Sequence, residues 1–334
     1  METDFRPTWW LPGPHLQSSW AAFTRPTALV RYRREAIETA DGDELVLDHI
    51  DGPAGPRVIL LHGLEGSAHA VYIQGMAALA SRAGWAVTAV NFRSCARDPG
   101  QLDRMLPNRR PRLYHSGDTG DLDLVIGRLS EREPDRPFFG AGVSLGGNVL
   151  LKWLGERAGP SRITAAATIS VPYDLAECAA NLSGGVNRVY TSRFLRTLKP
   201  KVTELASRFP EARKIVDMAA ADRAMTFAAF DHAVTAPLHG FTSAADYYAR
   251  SSSLGFLGRI ACPTLCISAA DDPFQPRAAL ARAQAAASPA TEVRITRTGG
   301  HAGFVQGSIP GATSAWAEQA AMTFFAARLK PAAP

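Results

Sequence analysis

Among the side chains that can act as nucleophiles, one stands in a setting built for the task. Ser144 lies in Gly142-Val143-Ser144-Leu145-Gly146-Gly147, after the apolar run Phe138-Phe139-Gly140-Ala141 and before an apolar-periodic segment starting at Asn148. A buried strand that turns at once into a helix strains the residue at the turn. Small residues two positions to either side let the two elements approach closely, and the hydroxyl is lifted clear of its neighbours. Gly-x-Ser-x-Gly alone is a weak signal; the strand before it and the helix after it carry the reading. A serine hydroxyl is inert at its free pKa, so it needs a base, and the base needs an orienting acid.

Three histidines follow Ser144: His232, His239 and His301. His301 sits in Thr298-Gly299-Gly300-His301-Ala302-Gly303-Phe304, directly after the last strand-like run, where a flexible loop lets an imidazole reach over a sheet. It is the expected base. The acid is expected to leave the end of the preceding strand, where Asp271-Asp272-Pro273 offers two carboxylates. Asp272, held out of helix by the following proline, is preferred, and Asp271 is left to cap the turn. Adjacent carboxylates do not naturally flank one bond, which weakens a glycosidase reading.

Acyl transfer also needs N–H donors where negative charge develops. One is expected from Leu145, at a helix N-terminus whose dipole favours an anion. The other is expected from Leu64 in the loop His62-Gly63-Leu64-Glu65-Gly66-Ser67. His62 lacks the partners of a metal ligand or base and is read as shaping that loop. His115 has two readings, a hydrogen bond near the site or a place before a Ser116 helix cap. No metal or cofactor is called for.

These residues must be positioned by a frame, and the sequence shows one. Val30–Ala36 and Glu44–His49 flank Asp41-Gly42, a hairpin signal and the antiparallel edge of a sheet. Strand-like runs at Arg57–Leu61, Trp85–Phe92, Pro137–Val143, Thr164–Val171, Pro263–Ser268 and Glu292–Thr298 then alternate with helical patterns. The helical patterns lie at Tyr72–Ala83, Asp121–Ser130, Asn148–Arg157, Arg277–Ala287 and Thr313–Leu329. Such alternation predicts an α/β fold with a mostly parallel central sheet covered by helices on both faces. Arg93–Arg112 reads as an irregular surface excursion, and residues 5–20 as an extended arm.

The alternation stops over residues 172–258, where only helical patterns appear. That predicts a helical lid inserted between a first core part, residues 1–171 with an N-terminal arm 1–28, and a second, residues 259–334. In the lid, Leu195, Leu198, Val202, Leu205 and Phe209 recur at spacings of three and four, with Arg188, Arg193, Arg196, Lys199 and Lys201 among them. Pro200 is expected to kink or divide that helix. Packing on the core is the favoured role of the apolar stripe; an acyl-chain wall and a membrane-facing surface are the alternatives.

The bulk properties agree with a globular enzyme. The chain has 334 residues, 46% hydrophobic and 20% charged, with 36 basic against 31 acidic side chains. The small positive excess is spread out, so nucleic acid is not an expected partner. Cys95, Cys178, Cys262 and Cys266 show no disulfide spacing and fit reduced thiols. Neither a signal peptide nor an apolar run of membrane-spanning length is read, and a soluble cytoplasmic chain is expected.

Taken together, the motifs resemble the α/β-hydrolase superfamily, and within it the YheT-like hydrolases related to eukaryotic abhydrolase-domain membrane proteins. The stretches that carry the resemblance cover nearly the whole chain. They are Pro14-His15-Leu16-Gln17, the His62–Ser67 loop, Asn91-Phe92-Arg93, Tyr114-His115-Ser116-Gly117, the Gly142–Asn148 turn, His239-Gly240-Phe241, Asp246-Tyr247-Tyr248, Asp271-Asp272-Pro273-Phe274 and Gly300–Phe304. The resemblance implies a serine hydrolase of carboxylic esters with Ser144, Asp272 and His301 as its triad, acting on small or lipid-derived esters. Residues 96–110 are longer and more basic than the family pattern. The rival readings are a lipase, thioesterase, amidase or acyltransferase with the same triad, or a non-catalytic binding protein on the same scaffold.

Overall fold

The computed structural model describes residues 5–24, 30–53 and 55–329; the remainder of the expected N-terminal arm lies outside them. An eight-stranded sheet forms the frame. Its strands are β1 (Arg33–Glu38), β2 (Glu44–Ile50), β3 (Arg57–Leu61), β4 (Ala86–Asn91), β7 (Phe138–Val143), β8 (Ile163–Ile169), β9 (Thr264–Ala269) and β10 (Thr291–Thr296), while β5 (Arg97–Asp98) and β6 (Gln101–Met105) make a separate ribbon. The order across the sheet is β1-β2-β4-β3-β7-β8-β9-β10. All pairs from β4 to β10 are parallel, and β1 and β2 form the antiparallel edge. Five of the strands, β3, β4, β7, β9 and all but one residue of β8, are buried throughout. That is why they read as continuous apolar runs instead of alternating ones.

Both faces are covered. Helix α2 (Val71–Arg82) and the helix Trp316–Ala326 bury Ile73, Met76, Phe324 and Phe325 against Val58, Leu60, Phe139 and Ile267. Helices α3 (Thr119–Arg132) and α4 (Leu145–Arg157), with Arg277–Ala286, bury Leu122, Val125, Val149 and Leu280 against Ile59, Leu61 and Cys266. Between β8 and β9 the chain is helical, beginning with α5 (Leu175–Leu182) and α6 (Arg188–Arg208). Leu195, Leu198, Val202 and Leu205 of α6 are buried with Leu113 and Phe230. The apolar stripe therefore packs inward.

Three expectations change. The N-terminal arm is not extended throughout: Pro14–Thr24 forms α1. Proline is tolerated in a helix's first turn, and this helix is tied down by tertiary contacts that leave no clean periodicity. Arg93–Arg112 is not irregular throughout, since it contains the β5–β6 ribbon. Pro200 does not divide α6, which runs from Arg188 to Arg208 with the proline inside it.

Candidate active site

The turn at Ser144 is as tight as its composition demands. Ser144 has φ 53° and ψ −120°, a left-handed conformation that costs about 1–3 kcal/mol for a residue with a side chain. A Cβ on Gly146 would lie 2.5 Å from the carbonyl oxygens of Leu61 and His62, and one on Gly142 would lie 2.6 Å from the Gly146 oxygen. Strand and helix can pack this closely only without those side chains. Ser144 N–H is fixed by Ile169 O of β8 at 2.8 Å.

His301 is brought to this hydroxyl from the far end of the sheet. Its Nε2 lies 3.0 Å from Ser144 Oγ, and its Nδ1 lies 2.9 and 3.1 Å from the two carboxylate oxygens of Asp272. The loop that carries it is held from three sides. Ser18 Oγ of α1 accepts His301 N–H at 2.8 Å, Ser170 Oγ accepts Ala302 N–H at 2.9 Å, and Asp271 Oδ1 accepts Gly300 N–H at 3.0 Å. Asp271 therefore takes the turn-capping place, while Asp272, fully buried, faces the imidazole. Burial, aided by the charge of Asp272, pushes the Asp271 carboxyl above its ordinary range. Asp272 is itself fixed by Phe274 N–H on Oδ1 (2.8 Å) and Gln275 Nε2 on Oδ2 (3.1 Å).

The loop after β3 is pinned on both sides of Leu64. Gly63 N–H donates to Tyr72 Oη at 3.0 Å and Glu65 N–H to Tyr114 Oη at 2.7 Å. Leu64 N–H has no protein acceptor among the described residues. Leu145 is the first residue of α4, where an N–H has no intrahelical acceptor. Both leucines border the same cavity as Ser144. His62 does shape the loop: Nδ1–H donates to Gly63 O at 2.7 Å, and Nε2 accepts Phe92 N–H at 3.1 Å. Burial drops its pKa to about 3, so the ring is neutral, as that bonding requires.

A cavity of about 130 Å³ opens beside Ser144, walled largely by Leu113, Leu175, Leu182, Leu198, Phe230 and Val234. His115, Asp231 and His239 also border it. His115 does not precede a serine cap, because the N-cap of α3 is Asp118. Its Nδ1 accepts Gly117 N–H at 3.1 Å and burial holds its pKa well below the usual value. The neutral ring thus carries its proton on Nε2. His232 borders neither this cavity nor the serine.

Several positioning residues were given no role by the motifs. Ser18, Ser170 and Tyr72 lie outside them, and Tyr114 lies within one, but the part each plays depends on contacts far away in sequence. Phe274 and Gln275 adjoin Asp272, and their nearness was the available signal. Asn148 is another: its side chain bonds Ser116 O, Ser251 O and Ser253 N–H, each at 2.8 Å, tying α4 to segments before and after it.

A mostly parallel sheet covered by helices on both faces, with a strained serine between strand and helix and a histidine delivered by the loop after β10, defines an α/β hydrolase. A family profile described as alpha/beta hydrolase fold matches residues 56–308, and the chain belongs to that family. Among curated relatives, YheT of Escherichia coli (strain K12), which carries an esterase name, is 33% identical over 279 residues, 82% of this chain and 79% of that protein. Mouse phospholipase ABHD3 is 31% identical over 316 residues, 92% of this chain and 74% of its own. The solved Pyrococcus furiosus esterase Pf2001 shares the fold with a TM-score of 0.57 at 17% identity, over 92% of this chain and 98% of that one. These matches place the chain with the YheT-like hydrolases related to the abhydrolase-domain proteins. Among the described residues no helix is long and apolar enough to cross a membrane.

Proposed function

We propose that the chain hydrolyses carboxylic esters through a Ser144–His301–Asp272 triad and an acyl-enzyme intermediate. The observation that carries this is the in-line set of contacts from Ser144 Oγ to His301 Nε2 at 3.0 Å and from His301 Nδ1 to Asp272 at 2.9 Å. Ser144 attacks the ester carbonyl while His301 takes its proton, and Asp272 holds the imidazole tautomer and steadies the imidazolium. The N–H groups of Leu64 and Leu145 receive the developing oxyanion. His301 returns the proton to the leaving alcohol, then activates water to release the acid. Protein groups and water suffice for each step.

The apolar cavity beside Ser144 suits the acyl chain, which favours lipid-derived over short polar esters and makes a lipase the second reading. In this reading residues 172–258 act as a lid on a core formed by residues 1–171 and 259–334. The free thiols Cys95, Cys178, Cys262 and Cys266 suit a reducing, cytoplasmic setting.

A fluorophosphonate probe should label wild type on the Ser144 peptide and leave Ser144→Ala unlabelled. p-Nitrophenyl esters of increasing chain length, with thioesters and added alcohols alongside, separate esterase, lipase, thioesterase and acyltransferase. Labelling elsewhere, or none in a folded wild type, would refute the triad.

A further inference from the structure

The helical insertion reaches the loop after β3 through one charged side chain. Lys201 of α6 places its ammonium 2.6 Å from Glu65 Oε1, and the two side chains are 11% and 6% exposed. The same ammonium lies 3.5 Å from Cys95 Sγ and 5.5 Å from the centre of the Tyr114 ring. A carboxylate, a thiol and an aromatic face from three separate core loops thus form a socket for a residue of the insertion. Lys201 borders both the apolar cavity and the open cleft on the other side of Ser144.

The other end of this contact is next to the expected oxyanion donor. Glu65 follows Leu64 directly and has φ 57°, a left-handed conformation that a side chain makes unfavourable. One hydroxyl binds both ends of the residue: Tyr114 Oη accepts Glu65 N–H at 2.7 Å and donates to Glu65 Oε1 at 2.9 Å. Glu65 Oε2 is buried with no partner among the described residues. Among the described residues the carboxylate therefore has two donors, and Lys201 is the charged one. Removing it leaves a buried charge with a single neutral donor, an arrangement that drives such groups to rotate or to take up a proton. Either change frees the left-handed turn at Glu65 and moves the peptide before it.

We infer that Lys201 is a positioning residue: seated in its socket it holds Glu65, and through Glu65 it aims the Leu64 N–H at the oxyanion. The hole is then complete only while the insertion is closed on the core, which couples lid position to catalytic competence. This rests on the hydrolase reading above.

The test compares wild type with Lys201→Met, Lys201→Arg and Glu65→Gln, using one p-nitrophenyl ester and a trifluoromethyl ketone of the same acyl chain. The ketone adds to the serine and then needs the oxyanion hole. Lys201→Met should lower kcat about ten- to a hundredfold, less than loss of a whole donor, with KM within about twofold. Ketone affinity should fall by the same factor, Lys201→Arg should recover most of both, and Glu65→Gln should fall in the same direction. A merely structural latch would change the thermal midpoint or KM and leave ketone affinity alone. Values of kcat and ketone affinity within about twofold of wild type in Lys201→Met overturn the inference. If that variant does not fold, the same result in Glu65→Gln overturns it. A wild type that reacts with neither ester nor ketone overturns the hydrolase reading instead.

Discussion

The ring of Phe274 lies flat on the imidazole of His301, with centroids 3.9 Å apart and planes 13° from parallel. The backbone N–H of the same residue donates to Asp272 Oδ1 at 2.8 Å. One residue thus fixes the rotation of the expected base and the carboxylate behind it. Tyr190 and Phe194 of α6 also meet the Phe274 ring edge to face, at 4.9 and 6.3 Å between centroids. Phe274→Ala should leave the imidazole free to turn away from Ser144 and lower the acylation rate about ten- to a hundredfold. Phe274→Tyr, which keeps the ring, should stay near wild type. Stopped-flow measurement of the p-nitrophenol burst reads this directly; equal burst rates in the alanine variant would remove Phe274 from the mechanism.

The candidate site was legible because it sits where local sequence dictates geometry. Gly142 and Gly146 announce the tight turn, Pro273 holds Asp272 out of helix, and the buried strands read as unbroken apolar runs. The supports were not legible. Ser18 and Ser170 hold the His301 loop from 283 and 132 residues away, which no local pattern encodes. The β5–β6 ribbon is exposed and short, and its few pairs leave no alternation to detect. Pro200 was expected to kink or divide α6; it does not divide it, and packing of Leu195, Leu198, Val202 and Leu205 carries the helix through it.

Arg93 opens the stretch expected to be an irregular surface excursion, and the structure buries it. Its guanidinium meets Asp121 with two bonds of 2.7 and 2.8 Å, Asp41 at 2.8 Å and Asp43 at 3.0 Å, with the side chain 2% exposed. It joins the β1–β2 turn to the start of α3. Arg93→Met would leave Asp43 and Asp121 buried without their cation, a change that costs about 3–5 kcal/mol. Arg93→Lys should recover only part, because an ammonium cannot reproduce the paired contact with Asp121. Urea unfolding at pH 7 checks both; a loss under about 1 kcal/mol in the methionine variant would mean that the acids find other partners.

Gly146→Ala tests the turn itself. The added methyl would meet Leu61 O and His62 O at 2.5 Å, and both are backbone atoms of β3 and its loop that cannot swing aside. The helix must then move off the strand, carrying Leu145 and Ser144 with it. The expected result is a thermal midpoint lowered by several degrees and probe labelling slowed at least tenfold, since overpacking of this kind costs about 1–3 kcal/mol. An alanine variant with wild-type labelling would show that strand and helix separate without disturbing the serine.

Asp231 gives a pH test of the cavity wall. It opens a single π turn, Asp231–Thr235, and accepts Tyr248 Oη and Thr235 Oγ1, both at 2.6 Å. Desolvation in its half-buried place at the cavity wall pushes its carboxyl up to about 6 from the usual 3.8, with the two hydroxyls working against that rise. Below about pH 4 folded and unfolded chains both hold the proton, and the group has no effect on stability. Between about pH 4 and 6 the unfolded chain releases it first, so stability is lost as pH rises and the loss levels off above 6, at about 3 kcal/mol. Asp231→Asn cannot ionise and keeps one oxygen acceptor, while the facing hydroxyl can turn to accept from the amide. The asparagine variant should therefore melt above wild type at pH 8, with a margin that shrinks to nothing near pH 4. Thermal midpoints of both proteins across that range decide the matter, and a pH-independent difference would mean that Asp231 is not held protonated by its surroundings.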